Sequence, residues 1–337
     1  MRKPVAAAAA CLATLATGCG AQVETADSKP TSSAVTLTNC GQKVTYDKVP
    51  ERVVTNDVGI TEIMFALGLE DRMAGFAMPD DKGDLTGVPW KDGYDQVKWL
   101  SKQQLTQENV LDAHADLVFA GWNYGFREDG GFTPDSLKKL GIPSYILTES
   151  CHNGLTDASR GIMPPLDALY TDLTNLGKLF GVEKRAAELV ADFKEQVAAV
   201  QAKAPTGADR PKVFLYDSGQ DQPFTSGAYA APEEIISKAG GVNVMHDLDD
   251  SWTTVGWETV VDRDPDVIVI CDYGDVSAEE KREFLLSYAP LKNVSAVKHQ
   301  QIFVLDYADL VESPRNPSAI DRLGTYLRSV AAPGAAQ

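Results

Sequence analysis

Histidine is scarce in this chain and none of it is clustered. The 4 histidines (His114, His152, His246, His299) stand apart with no paired spacing, which argues against a bare zinc or manganese site. A Gly-x-Ser-x-Gly elbow, a phosphate-binding glycine loop and a His-Glu-x-x-His helix are also missing. The best-marked hydrolase and nucleotide-binding chemistries therefore have no signature here. Basic residues are in deficit: 31 Lys+Arg against 48 Asp+Glu leave a net charge of −17. Nucleic acid is thereby disfavoured as a partner, and the same acidity suits a solubilised secreted surface. Past the N-terminus no apolar run is long enough to span a bilayer.

The N-terminus itself has the pattern of an export signal. Arg2-Lys3 gives a positive start, and Val5 to Ala16 is apolar but too short to span a membrane. Leu15-Ala16-Thr17-Gly18-Cys19 resembles a bacterial lipobox, with Ala16 where a leucine is usual. The expectation is a signal peptide over residues 1–18, lipidation of Cys19, and a polar tether over 19–34. The product would be lipid-anchored on the outer face of the cell membrane. Of 5 cysteines, Cys40 and Cys151 lie in polar loops. In an oxidising compartment the expectation is a disulfide between them, the alternative two separate thiols. Closing so long a loop stabilises by about 4 kcal/mol in the chain-entropy model. Cys271 ends an apolar strand and reads as a buried thiol.

What is present is a sentence said twice. Glu108-Asn-Val110-Leu-Asp-Ala-His-Ala-Asp116-Leu-Val118 is matched by Glu258-Thr-Val260-Val-Asp-Arg-Asp-Pro-Asp266-Val-Ile268. Each copy reads as a short helix opening on Glu, an Asp turn, and a buried strand (Leu117–Ala120; Val267–Ile270). A repeat so far apart predicts two similar α/β lobes. Strands alternating with helices predict mainly parallel sheets. Residues 78–98 read as loop, and residues 163–204 as helical, interrupted at Gly181. The resulting division is a lobe over 35–181, a connecting helix over 182–204 that could act as a spine, and a second lobe over 205–332.

Several motifs, in order, then resemble one family. Pro50-Glu-Arg-Val-Val54, Thr61-Glu62, Ala66-Leu-Gly-Leu69, Gly75, Leu176-Gly177, Ala239-Gly-Gly-Val-Asn243 and Asp264-Pro-Asp-Val-Ile268 are similar to substrate-binding proteins of ABC importers for iron–siderophores, haem and cobalamin. The resemblance covers most of residues 44–330. It implies two α/β lobes joined by one long helix, a ligand cleft between them and little hinge closure. It also implies one glutamate per lobe docking on permease arginines, here Glu108 and Glu258, and an ATPase beyond the permease. The bottom-up alternative is that each Glu merely favours a first helical turn.

Ligands in open α/β sheets bind beyond the carboxyl ends of strands. That rule selects Trp122, Tyr124 and Arg127 after one strand, Tyr229 and Trp252 in the second half, Tyr273 after another strand, and Arg315 near the last. A ferric siderophore brings a saturated metal, so aromatic walls with a few polar groups suffice and no metal ligands or resident cofactor are needed. Net acidity favours a neutral or cationic ferric complex, such as a hydroxamate, over an anionic catecholate. Cobalamin, haem or a deazaflavin cofactor precursor are the alternatives within transport. An adhesion lipoprotein is another reading. A secreted hydrolase would need paired carboxylates, for which Glu149 and Asp217 are the candidates. A monomeric binding protein, not an enzyme, is the expectation.

Overall fold

Two parallel sheets form the frame, each with central strands buried on both faces. The computed structural model describes residues 34–78, 82–154 and 159–331. The expected signal peptide, Cys19 and the expected tether up to residue 33 lie outside the described residues. The chain starts with an antiparallel hairpin, β1 (Val35–Asn39) and β2 (Gln42–Tyr46). Then follow β3 (Val53–Asn56), α1 (Val58–Ala66), β4 (Met73–Ala77), α2 (Gly93–Gln96), β5 (Trp99–Ser101) and α3 (Gln107–Asp112). β6 (Leu117–Trp122), β7 (Gly125–Phe126), α4 (Pro134–Lys139) and β8 (Ser144–Ile146) complete the first lobe's strands. They pair in parallel in the order β5-β4-β3-β6-β8, with β7 a short partner of β6. Residues 78–98, read as loop, thus contain the short helix α2, and β5 follows directly. Elements this short carry too few residues to show a period.

Two long helices come next, α5 (Pro165–Phe180) and α6 (Glu183–Gln201). Gly181 ends α5 in the left-handed region (φ 70), where the missing Cβ removes the penalty. The second lobe has β9 (Lys212–Tyr216), β10 (Phe224–Ser226), α7 (Ala231–Lys238), β11 (Val242–Asn243), β12 (Trp252–Thr254) and α8 (Trp257–Arg263). It ends with β13 (Val267–Asp272), α9 (Ala278–Ser287), α10 (Ser295–Lys298), β14 (Ile302–Asp306), α11 (Tyr307–Leu310) and α12 (Asn316–Ala331). Its parallel sheet runs β11-β9-β13-β14, and β10 and β12 form a separate antiparallel ribbon. Strands covered on both faces have no polar side to alternate with, which is why β6 and β13 read in the sequence as unbroken apolar runs.

The joining helix α6 has 19 residues, about 28 Å at 1.5 Å per residue. Its buried stripe, Ala186, Leu189, Phe193, Val197 and Val200, recurs at helical spacing. It belongs to one apolar cluster that also holds Val53 and Phe119 of the first sheet and Val213 and Val267 of the second. Bending the molecule between its lobes would open that shared core.

The repeat acquires a structural meaning. The Asp116 carboxylate accepts from the Arg52 N–H (2.8 Å), at the start of β3. The Asp266 carboxylate accepts from the Lys212 N–H (2.8 Å), at the start of β9. In each lobe the repeated aspartate clamps the neighbouring strand. The matched positions His114 (φ 51) and Asp264 (φ 43) both adopt the left-handed turn that ends their helix, a conformation His and Asp tolerate better than most residues. His114 therefore sits beyond the end of α3. Cys40 and Cys151 form a disulfide with Cα atoms 5.3 Å apart, tying the β1–β2 turn to the segment after β8. Cys271 is a buried free thiol.

Candidate functional site

Strand ends from both lobes converge on a cavity of about 270 Å³ lined by Trp122, Asn123, Tyr124, Asp217, Phe224, Ser251, Trp252, Tyr273 and Tyr307. Trp122 ends β6, Asp217 follows β9, Tyr273 follows β13 and Tyr307 follows β14. This is the crevice beyond the carboxyl ends of parallel strands. A larger cavity of about 410 Å³ lies elsewhere, between residues 84–90, Phe193 and Arg322. It collects only one strand end, Asp306, and it is not the convergence point of the two sheets.

The cleft walls are ordered by ring packing. Tyr273 stacks on Tyr307 with centroids 4.2 Å apart, and Phe224 stacks on Trp252 at 5.9 Å. Trp122 meets His152 edge-on at 4.9 Å. Its backbone N–H donates to Ser150 Oγ (2.9 Å), and Gly121 lies so close that an added Cβ would stand 2.8 Å from that oxygen. Glycine here lets β6 approach the neighbouring loop and fixes where Trp122 emerges. The Lys281 ammonium donates to the carbonyls of Cys271 and Tyr273 (2.7 Å each), which holds the segment that carries Tyr273.

Beneath the walls lies a set of buried carboxyls. Tyr307 donates through its hydroxyl to Asp57 Oδ2 (2.6 Å), bridging the lobes. Asp57 caps α1 at φ 82, a backbone region that strains any residue but glycine. Burial, with the Glu149 and Asp57 carboxyls nearby, pushes the Tyr124 hydroxyl well above its usual value. Burial likewise pushes the Glu149 carboxyl up to about 8. The Glu149 N–H donates to Glu312 Oε2 (3.0 Å), and burial raises Glu312 well above the carboxylate range. Asp172, raised by burial to about 6, accepts from the Tyr145 hydroxyl (2.7 Å) and the Thr148 N–H (2.8 Å). Among the described residues, no group of three or more His, Cys, Asp or Glu is placed to hold a metal ion.

The periplasmic binding protein family matches residues 53–308, which is most of the chain. The chain belongs to that family. It is accordingly a solute-binding protein rather than an enzyme. An uncharacterized ABC transporter substrate-binding lipoprotein of Bacillus subtilis, YvrC, is 26% identical over 325 residues, covering 92% of each chain. A vitamin B12-binding protein of Yersinia pestis is 25% identical over 221 residues, covering 65% of this chain and 69% of its own. The crystal structure of a periplasmic binding protein from Veillonella parvula superposes with a TM-score of 0.72 at 28% identity, over 89% of this chain and 99% of that one. A Saccharomonospora viridis structure described as an ABC-type Fe3+-hydroxamate transport system gives 0.71 at 24% identity, over 87% and 98%; at that identity it supports the fold.

In this binding protein, four of the residues singled out from sequence come together in the cleft: Trp122, Tyr124, Trp252 and Tyr273. Three do not line it. Arg127 donates to the carbonyl of Gly125 (3.4 Å) in its own loop. Tyr229 packs against Gly161, where an added Cβ would be 2.1 Å from the Tyr229 Cβ. Arg315 forms a two-pronged, buried ion pair with Glu62, Nε to Oε2 at 2.8 Å and Nη2 to Oε1. Asn123, Phe224, Ser251 and Tyr307 complete the lining without having been singled out, together with Asp217, which the sequence offered only as a hydrolase carboxylate to pair with Glu149. All but Ser251 lie in or beside loops that the strand-end rule already picks. Glu108 and Glu258 are exposed in the first turns of α3 and α8.

Proposed function

We propose that this protein is the ligand-capturing component of an ABC importer, anchored through lipidated Cys19, and that it delivers a ferric siderophore to the permease. One observation carries the ligand class: an aromatic cleft at the meeting point of both sheets, with no cluster among the described residues placed to coordinate a metal. Such walls suit a ligand whose metal is already fully coordinated by its own chelator. Glu108 and Glu258, exposed at matching places on the two lobes, would orient the loaded protein on basic residues of the permease. Cobalamin is the second reading. It is likewise a complete metal complex, and it is favoured by the vitamin B12-binding relative.

The test is calorimetric titration of the mature protein with a ferric trihydroxamate, a ferric catecholate, haem and cobalamin. Saturable binding of the trihydroxamate at sub-micromolar concentration supports the siderophore reading. Binding confined to cobalamin transfers the assignment to the second reading, and silence to both would refute the ligand class.

A further inference from the structure

The cleft lining is one-sided in charge. It contains a carboxylate, Asp217, and no Lys, Arg or His. Asp217 is buried and receives the Ser218 hydroxyl (2.6 Å). Asp57, reached through Tyr307, adds a second carboxyl directly beneath the wall. The basic groups beside the cleft are already engaged. His152, edge-on to Trp122 at 4.9 Å, and Arg160, centred 5.9 Å from that ring, both meet the Glu128 carboxylate, at 3.3 and 3.4 Å. Lys281 is engaged by two backbone carbonyls behind Tyr273. Among the described residues, no cation lies over the rings of Tyr124, Phe224, Trp252 or Tyr307.

Aromatic faces carry negative electrostatic potential and attract organic cations, most strongly where water is excluded. An anion placed in the same space would meet ring faces and Asp217 with no donor charge to compensate for its lost hydration. We propose that the cleft selects a ligand bearing a positive organic substituent, an ammonium group, seated against the aromatic walls and opposite Asp217. The proposal rests on reading this cleft as the ligand site and narrows the siderophore class to its cationic members.

The test uses two pairs of probes on the mature protein, followed by tryptophan fluorescence. The first pair is a linear ferric trihydroxamate with a free terminal amine and its N-acetyl derivative. The second is benzyltrimethylammonium and benzenesulfonate. N-acetylation is expected to weaken binding about ten- to thirty-fold, the worth of a desolvated cation–π contact. Asp217→Asn should narrow that gap without closing it, because it removes the carboxylate opposite the ammonium and leaves the ring faces in place, and an unchanged melting temperature shows that the variant is folded. Benzyltrimethylammonium should quench saturably and benzenesulfonate should not. Quenching by benzyltrimethylammonium with neither hydroxamate bound would retain the charge preference and reject the siderophore. Equal or tighter binding of the N-acetyl derivative, quenching by benzenesulfonate comparable to that by the ammonium, or silence from all four probes would overturn the proposal.

Discussion

Replacing Glu149 with Gln should make the protein markedly more stable at alkaline pH and barely more stable in mild acid. Glu149 is buried beside the Tyr124 hydroxyl, and Asp57 and Asp172 add their charge to its surroundings. Burial raises its carboxyl from 4.5 to about 8. Well below pH 4.5 both folded and unfolded chains hold the proton, so Glu149 contributes no pH dependence. Between 4.5 and about 8 the folded state keeps a proton that the unfolded state has released. Stability therefore falls as pH rises through that window, by up to about 1.4 kcal/mol per unit. The accumulated penalty is below ~1 kcal/mol near pH 5 and about 4 kcal/mol near pH 7.5. Glutamine has the same shape and no proton to lose. Urea unfolding of the mature protein and of Glu149→Gln, across that pH range, gives the difference directly. Asp172 and Glu312 slope in the same direction in both proteins, and losing the Glu149 charge relieves its repulsion on them, so the coupling widens the gap. A gap that widens with pH is expected, and two parallel stability curves would refute the argument.

Three further outcomes are expected. Cys40→Ser with Cys151→Ser opens a loop with a sequence separation of 111 and should destabilise by roughly 4 to 5 kcal/mol in the chain-entropy model, read by thermal or urea unfolding; loss of well under 1 kcal/mol would contradict it. Arg315→Ala strands Glu62, which also receives Trp90 Nε1 (2.9 Å) and the Tyr94 hydroxyl (2.6 Å), and should cost roughly 3–5 kcal/mol while leaving ligand affinity intact. A selective loss of affinity would return Arg315 to the ligand site. Glu108→Ala with Glu258→Ala should preserve ligand affinity and abolish uptake in cells, and normal uptake by the double variant would remove the docking role.

The frame was legible because parallel strands buried on both faces write themselves as apolar runs, and because the repeated Glu and Asp marked the same place in both lobes. Gly181 announced the break between the two long helices, and the polar loops around Cys40 and Cys151 announced the bridge. The cleft was legible to the level of loops. The strand-end rule reaches Trp122, Tyr124 and Tyr273, but it cannot say which way a side chain leaves the strand. Arg315 turns to Glu62, 253 residues away in sequence, a pairing with no local signal. Asp217 and Tyr307 face the cleft because β9 and β14 end there in the same layer, which only the sheet order reveals. The buried carboxyls of Glu149, Glu312 and Asp172 are equally invisible in sequence, since an acid in a loop or on a helix reads as solvated until packing closes over it.

The most direct test of the account is a tryptophan fluorescence titration of the mature protein with a ferric trihydroxamate, alongside a variant carrying Trp122→Phe and Trp252→Phe. Saturable quenching in the natural protein, with most of the signal change lost in a variant that remains folded, is the predicted result. Full quenching in the variant would place the ligand away from the aromatic cleft and contradict the central claim.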